Sequence, residues 1–282
     1  MNPVDAAEQA LRTGDLALAL KSLQDGVRAQ PANAKLRVFL FQLLCVDAQW
    51  QRAATQLNVC GEMDASTLPM VSTYREALQC EAVREAVFNG QTTPMVFGQP
   101  QAWVALLVEA LVADARGDTA SATRMREQAL ADAPSTAGTL NGQPFEWVAD
   151  ADSRLGPVLE VIVNGRYGWV PFSSLAKVEF EEPTDLRDLV WLPASLSFPN
   201  GGGTVALIPT RYPQMPSGAD SMLRLSRRTD WELMSEGQYR GLGQRLLTTD
   251  QAELGLLEVR ELILQSAAQS SGDDVPAQSA AA

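Results

Sequence analysis

Histidine is absent from the 282-residue chain, and its absence excludes several kinds of catalytic site. Ser-His-Asp triads, Cys-His dyads and zinc sites built on imidazole all require it. Cysteine is scarce, because only Cys45, Cys60 and Cys80 occur and none of them belongs to a Cys-x-x-Cys pair. Three scattered thiols in regions that read as helix predict buried cysteines in a reducing compartment, not a disulfide framework.

Basic residues are fewer than acidic ones, and the sequence contains no long apolar run. The 22 Lys and Arg residues are outnumbered by 34 Asp and Glu, so the formal net charge of −12 disfavours binding to nucleic acid. The most apolar run, Val38–Val46, is interrupted by Gln42 and is far shorter than the roughly 20 residues of a membrane span. The first residues lack the basic and apolar runs of a signal peptide. We therefore expect a cytoplasmic protein without membrane contact.

The first part of the chain has a repeating helical pattern. One apolar helix face is formed by Leu16, Ala19, Leu20, Leu23 and Val27, between Gly14 and Pro31. A shift of 34 residues brings Ala19 onto Ala53 and Leu23 onto Leu57, and Gly117–Pro134 repeats the spacing of Gly14–Pro31. This period and the small residues at helix crossings are typical of tetratricopeptide repeats. The pattern predicts three to four helix pairs, of which the third, around Leu68–Phe88, is degenerate.

Strand signals replace the helical pattern after a loop-like segment near residues 135–147. Asn164-Gly165 lies between two β-branched or aromatic runs and predicts a hairpin of residues 158–163 with 166–170. A second hairpin is expected for 189–198 with 204–208, and later strands at 231–234, 244–247 and 256–264. The predicted fold class is α+β, with tetratricopeptide-like repeats followed by a smaller, mainly antiparallel β-rich domain. The predicted boundaries are 1–140, 141–264 and a disordered tail at 265–282.

Residues that could carry out catalysis are few, and each group has a simpler structural interpretation. Ser174 and Lys177 match the Ser-x-x-Lys spacing of serine acylases, but the companion motifs of that class are missing. The neighbouring carboxylates Asp150 and Asp152 and the pair Glu181-Glu182 could act in hydrolysis or bind a cation. We favour a structural polar pair between Asp152 and Arg154 that fixes the start of the following strand. We expect no metal and no cofactor.

Aromatic residues make up only 6% of the chain, yet four of the six tryptophans lie in its second part. Tryptophans of a small β-domain usually belong to its core, but they can also anchor a partner. The sequence therefore suggests Tyr167, Trp169 and Trp191 as candidate partner-binding residues. The repeats offer an alternative binding groove.

Four segments carry a resemblance to a known family: Asp150–Pro171, Val190–Ala194, Ile208–Pro213 and Tyr239–Arg245. Together with the helical first part they resemble the ImpE family, also called TagJ or SciE-type virulence proteins. These are accessory components of bacterial type VI secretion systems. The resemblance extends from about Ala6 to Leu264.

The resemblance implies a non-enzymatic, cytoplasmic adaptor. Its expected partner is the small subunit of the contractile sheath, bound through that subunit's N-terminal helix, with an indirect link to the sheath-disassembly ATPase. It implies no catalytic residues. Two alternatives stay open from the residues alone: a hydrolase that uses the carboxylates or Ser174 and Lys177, and a generic repeat-type co-chaperone.

Overall fold

The computed structural model describes residues 2–99, 101–216 and 218–265, and it has the predicted α+β architecture. Apart from Gln265, the predicted disordered tail lies outside the described residues. The helices are α1 (Pro3–Arg12), α2 (Leu16–Ala29), α3 (Ala34–Val46), α4 (Trp50–Met63), α5 (Leu68–Phe88), α6 (Ala102–Ala115), α7 (Thr119–Asp132) and the short α8 (Ser221–Arg224). Single 3₁₀ turns occupy Ala65–Thr67, Phe172–Ser174, Leu186–Leu189 and Leu256–Glu258.

Fourteen strands follow or interrupt the helices of the described chain. They are β1 (Met95–Val96), β2 (Gly138–Leu140), β3 (Gln143–Phe145), β4 (Val148–Asp150), β5 (Val158–Val163), β6 (Arg166–Pro171), β7 (Lys177–Phe180), β8 (Trp191–Ser197), β9 (Gly203–Pro209), β10 (Thr229–Ser235), β11 (Gln238–Gly243), β12 (Leu246–Thr249), β13 (Glu253–Gly255) and β14 (Glu261–Leu264).

The helical part is built from hairpins whose turns explain the repeated sequence pattern. Gly14 and Gly117 both adopt a positive φ, 79° and 78°, at the end of α1 and α6. The following aspartates cap the next helix, because Asp15 accepts from the N–H of Leu18 and Asp118 from that of Ser121. The Gly-Asp pairs thus end one helix and begin the next.

The predicted third helix pair is a single helix instead. The 21-residue α5 has no second helix beside it in the sequence, since the chain continues into a loop that contains β1. Met95 and Val96 of β1 pair in parallel with Gly168 and Trp169 of β6. The helical part therefore supplies an edge strand to the sheet, which sequence periodicity had not indicated.

The main sheet has nine strands in the order β1-β6-β5-β9-β8-β7-β14-β2-β3. Both predicted hairpins are confirmed: β5 pairs with β6 across Asn164-Gly165, and β8 with β9. Asn164 and Gly165 both have a positive φ, 50° and 69°, as a tight hairpin turn requires. Two smaller sheets, β13-β12-β4 and β10-β11, complete the fold.

At β5 the main sheet is covered on both faces, which explains why this strand is buried at all six positions. Val158 and Ile162 belong to the hydrophobic cluster that the helices share, whereas Leu159, Val161 and Val163 belong to a second cluster on the opposite face. Alternate residues of a strand point to opposite faces, so a strand covered on both sides has an almost continuous apolar run. The helices and the sheet therefore share one core. The division into separate domains at residue 140 stays a prediction.

Candidate functional site

Glu160 is a carboxylate buried in the middle of β5, at the contact between the helices and the sheet. Arg84 of α5 donates Nε–H to its Oε1 at 2.7 Å and Nη2–H to its Oε2 at 3.0 Å. Arg245, which precedes β12, and the hydroxyl of Tyr167 donate to the same carboxylate. Burial alone would raise the pKa of Glu160, but Arg245 and Arg84 outweigh it and lower that pKa to about 2. Glu160 is therefore ionised near neutral pH.

Asp150, at the end of β4, extends this ion network on the other side of Arg245. Its Oδ2 lies 3.1 Å from Nη1 of Arg245, yet neither atom makes a well-aligned hydrogen bond to the described part of the chain. The pKa of Asp150 is raised to about 7, because the effect of burial is larger than the lowering effect of the charge on Arg245. The charge of Asp150 therefore changes near neutral pH, unlike that of Glu160.

Asp152 and Arg154 form the two-pronged ion pair that the sequence suggested. Arg154 donates from Nε to Oδ1 at 2.9 Å and from Nη2 to Oδ2 at 2.6 Å, and both side chains are buried. Oδ2 of Asp152 also accepts the N–H of Gly241 at 2.9 Å. Arg154 reaches Gln214 and lies over the ring of Phe88. The pair thus joins the loop before β5 to β11 and to the end of α5, and its stabilising role stays a prediction.

The three suggested aromatic anchors lie inside the protein, so the sequence-based choice of a binding surface needs correction. Trp169 and Trp191 are 0% exposed and Tyr167 is 4% exposed. Trp191 donates Nε1–H to Glu81 at 2.8 Å and packs between Trp50 and Tyr74. These aromatics are buried because they point from the sheet toward the helices and fill the shared core. They offer no surface to a partner in this conformation.

The lysine of the suggested pair Ser174 and Lys177 contacts two carboxylates. Nζ of Lys177 lies 2.9 Å from a carboxylate oxygen of Glu179 and 2.8 Å from one of Glu261. Hydrogen bonds to these carboxylates raise the pKa of Lys177, so its amine is protonated and cannot act as a base near neutral pH. Glu181 and Glu182 are exposed on the segment after β7. Within the described ranges, no group of three or more Cys, Asp or Glu side chains could hold a metal ion.

The helical part carries an open groove of about 550 Å³, which we call the α1–α3 groove. Its apolar lining comprises Leu11 of α1, Val38 and Phe39 of α3, and Leu186 of the segment that precedes β8. Charges of both signs surround it, from Glu8, Arg12, Lys35, Asp64, Asp185 and Arg227. Such a groove can accept the apolar face of a helix. The helices of the described chain include none that is long and apolar enough to cross a membrane.

Sequence reasoning missed the centre of the ion network, namely Glu81, Arg84, Glu160 and Arg245. One signal was available, because Glu160 interrupts the apolar run Val-Leu-Glu-Val-Ile-Val of a strand expected to be buried. A charged residue at such a position requires a partner of opposite charge. Which arginines supply it depends on contacts 76 and 85 residues apart in sequence, which no local pattern reveals.

Comparisons with known proteins agree with this architecture. The family described as ImpE protein matches residues 142–263, which include β3 to β14 apart from the last residue of β14. A Pseudomonas aeruginosa protein named type VI secretion system accessory component TagJ is 54% identical over 256 residues, covering 91% of this chain and 90% of that protein. Protein VPA1032 from Vibrio parahaemolyticus, known from a crystal structure, shares the fold with a TM-score of 0.85. It is 25% identical, and the match covers 93% of this chain and 99% of that one.

Proposed function

The chain belongs to the ImpE family, and on this premise we propose that it is a cytoplasmic, non-enzymatic adaptor of a type VI secretion system. The observation that carries the proposal is the 54% identity to TagJ along nine-tenths of both chains. Its partner is the small subunit of the contractile sheath, and the amphipathic N-terminal helix of that subunit is the segment it binds. Through this subunit the adaptor is linked indirectly to the ATPase that disassembles the sheath.

The α1–α3 groove is the surface we assign to this helix. Its lining combines the apolar side chains Val38, Phe39 and Leu186 with charged residues at its edge, as expected for a protein that receives an amphipathic helix. Burial of Tyr167, Trp169 and Trp191 supports the groove over the aromatic residues as the binding surface. Apolar anchors at i, i+3, i+4 and i+7 of the helix would contact the lining. Binding should therefore depend weakly on salt.

The test is calorimetric titration of a synthetic N-terminal peptide of the small sheath subunit into the protein at low and high salt. We expect a dissociation constant in the micromolar range, corresponding to about −8 kcal/mol. Val38→Glu should weaken binding at least roughly tenfold, since it places a carboxylate in the apolar lining. Val83→Glu is the matched control, because Val83 is 43% exposed on α5 and lies outside the groove.

The possible results distinguish a wrong partner from a wrong binding surface. Absence of binding to the unmodified protein would contradict the sheath-subunit proposal. Equal binding by both glutamate variants would place the helix elsewhere on the protein. The hydrolase alternative has no comparable support, because Lys177 is engaged by two carboxylates and Asp152 by Arg154. A co-chaperone role receives no specific support from the fold.

A further inference from the structure

A small cavity of about 260 Å³ lies where α5, the turn between α3 and α4, and the segment 211–215 meet. Its walls include the apolar or aromatic side chains Trp50, Val190, Tyr212, Pro213 and Met215. The charged side chains of Glu81, Arg84 and Arg211 also line it, although each of these residues is at most 7% exposed. The cavity is separate from the α1–α3 groove, and the inference drawn from it does not depend on the proposed function.

Most of the charge around the cavity is already paired. Nε and Nη2 of Arg84 both donate to the carboxylate of Glu160. Nη1 of the same arginine lies 3.5 Å from Oε2 of Glu81. The other oxygen of Glu81 accepts the indole N–H of Trp191. These contacts leave the two side chains with a counter-charge in place before any ligand arrives.

Arg211 is the exception among these buried charges. Its Nη1 and Nη2 donate only to main-chain carbonyls, those of Cys45 and Val46 at the end of α3 and that of Arg224 at the end of α8. Among the described residues, no carboxylate lies within ion-pair distance of its guanidinium. Carbonyl dipoles at a helix end offset only part of a full positive charge. Burial lowers the pKa of Arg211 to about 10; the nearby carboxylate of Glu81 opposes this shift and Arg84 adds to it.

The segment that borders the cavity is held in an unusual conformation. Gln214 has a φ of 61°, which non-glycine residues seldom adopt, and its side-chain amide is tied to Asn89 and to the carbonyl of Phe88. It also accepts Nη1–H of Arg154. Backbone strain of this kind is concentrated at ligand sites in proteins generally. Here it fixes Pro213 and Met215 beside Arg211.

We propose that this cavity binds a small monocarboxylate, whose carboxyl group forms a direct ion pair with Arg211. Its short apolar tail packs against Trp50, Val190 and Met215. The source of the carboxylate is a free organic acid, because the cavity is small. The buried carboxylate of Glu81 and the exposed one of Glu85 also line the cavity and oppose an anion there, and Glu85 can be changed at the surface. It gives the proposal a test that does not disturb the fold.

The experiment is calorimetric titration and thermal unfolding of the full-length protein with propionate, at constant ionic strength. Propionamide is the control ligand, since it has the same shape without the charge. Propionate should bind and raise the melting temperature, and propionamide should do neither. Glu85→Gln should tighten propionate binding roughly threefold, since it removes one repelling charge near the surface.

Two arginine variants complete the design. Arg211→Lys should lose propionate binding, whereas Arg224→Lys should keep it, because Arg224 also contacts the end of α3 but does not line the cavity. Equal responses to propionate and propionamide would overturn the proposal. So would weaker or unchanged binding by Glu85→Gln, which stays decisive even if Arg211→Lys does not fold. Equal loss in both arginine variants would show a structural effect and would also overturn it.

Discussion

Single buried charges hold particular segments of this protein in place. Asp152 and Arg154 are only two residues apart and form an ion pair. Asp152 also accepts a hydrogen bond from the main-chain N–H of the distant Gly241. Glu160 is shared by two arginines from distant parts of the chain. Removing one partner of such a pair leaves the other buried without compensation, which costs more than the pair itself contributes.

Arg154→Ala tests this point at the loop before β5. Because Asp152 would be left buried without its guanidinium, we expect the free energy of unfolding to fall by about 3 kcal/mol. Chemical denaturation monitored by circular dichroism measures it. Arg166→Ala is the control, because Arg166 is exposed and should change stability by less than about 0.5 kcal/mol. Similar stabilities for the two variants would contradict a structural role for the pair.

Asp150 gives the protein a defined dependence of stability on pH. Its pKa rises from an ordinary 3.8 to about 7 on folding, so between these values the folded state holds the proton more tightly. Stability from this group is therefore present at low pH and is lost as pH rises toward 7. Glu160 has the opposite effect, because its folded pKa of about 2 lies below the ordinary 4.5. Its contribution is lost only as pH falls below about 4.5.

We therefore predict that Asp150→Asn abolishes the loss of stability between about pH 5 and pH 7. The asparagine cannot ionise, so the proton-linked part of the free energy of unfolding disappears in this range. Urea unfolding at intervals of one pH unit from about pH 5 to pH 8 measures the slope. Glu179→Gln, an exposed carboxylate on β7, serves as the control and should keep the slope of the unmodified protein. An unchanged slope in Asp150→Asn would assign the titration to another group.

At the scale of the elements, two glycines with a positive φ lie at the turn and at the end of the two-stranded sheet β10-β11. Gly243 ends β11 with a φ of 84°, and a methyl group there would lie 2.2 Å from the carbonyl oxygen of Arg228. Gly237, in the turn between β10 and β11, has a φ of 71° but open space around it. Both positions require a positive φ, but only at Gly243 would an added methyl group meet neighbouring atoms.

This difference predicts unequal costs for the same substitution. Gly237→Ala should lower the free energy of unfolding by about 1 kcal/mol, the conformational penalty of a positive φ. Gly243→Ala should cost at least about twice as much, because the main chain of Arg228 must move to admit the new methyl group. Equilibrium unfolding of both variants checks the order. Equal losses would mean that the main chain at Arg228 adjusts freely.

At the scale of the whole molecule, the helices and the sheet are joined by one hydrophobic cluster and by paired charges across it. Trp191 of β8 packs against Trp50 and Tyr74, and Arg211 binds the carbonyls at the end of α3. Neither part can leave the other without exposing Trp169, Trp191 and the ion network. Exposing aromatic surface of this size costs several kcal/mol.

We therefore predict that the two parts unfold together. Helical circular dichroism and tryptophan fluorescence should change at the same denaturant concentration, because the same contacts stabilise both parts. Trp191→Ala should shift both transitions downward by a similar amount, corresponding to about 3 kcal/mol or more. Two separate transitions in the unmodified protein would instead favour independent domains divided near residue 140.

The sequence by itself determined the elements that depend on local chemistry. Helix starts and ends follow from glycine and aspartate at fixed offsets, as at Gly14-Asp15 and Gly117-Asp118, and the two hairpins follow from their turn residues. The ImpE resemblance also came from contiguous segments, and the 54% identity to TagJ confirmed it. The pairing of Asp152 with Arg154 was accessible because the two residues are neighbours in the chain.

Only the tertiary structure decided which side chains are available to a partner. A strand covered on one face and a strand covered on both faces can contain the same aromatic residues, so local sequence could not show that Trp169 and Trp191 are buried. The ion network around Glu160 and the main-chain contacts of Arg211 depend on residues far apart in the chain. Such contacts form only when the helices close over the sheet, because folding alone brings those charges together and removes water from them.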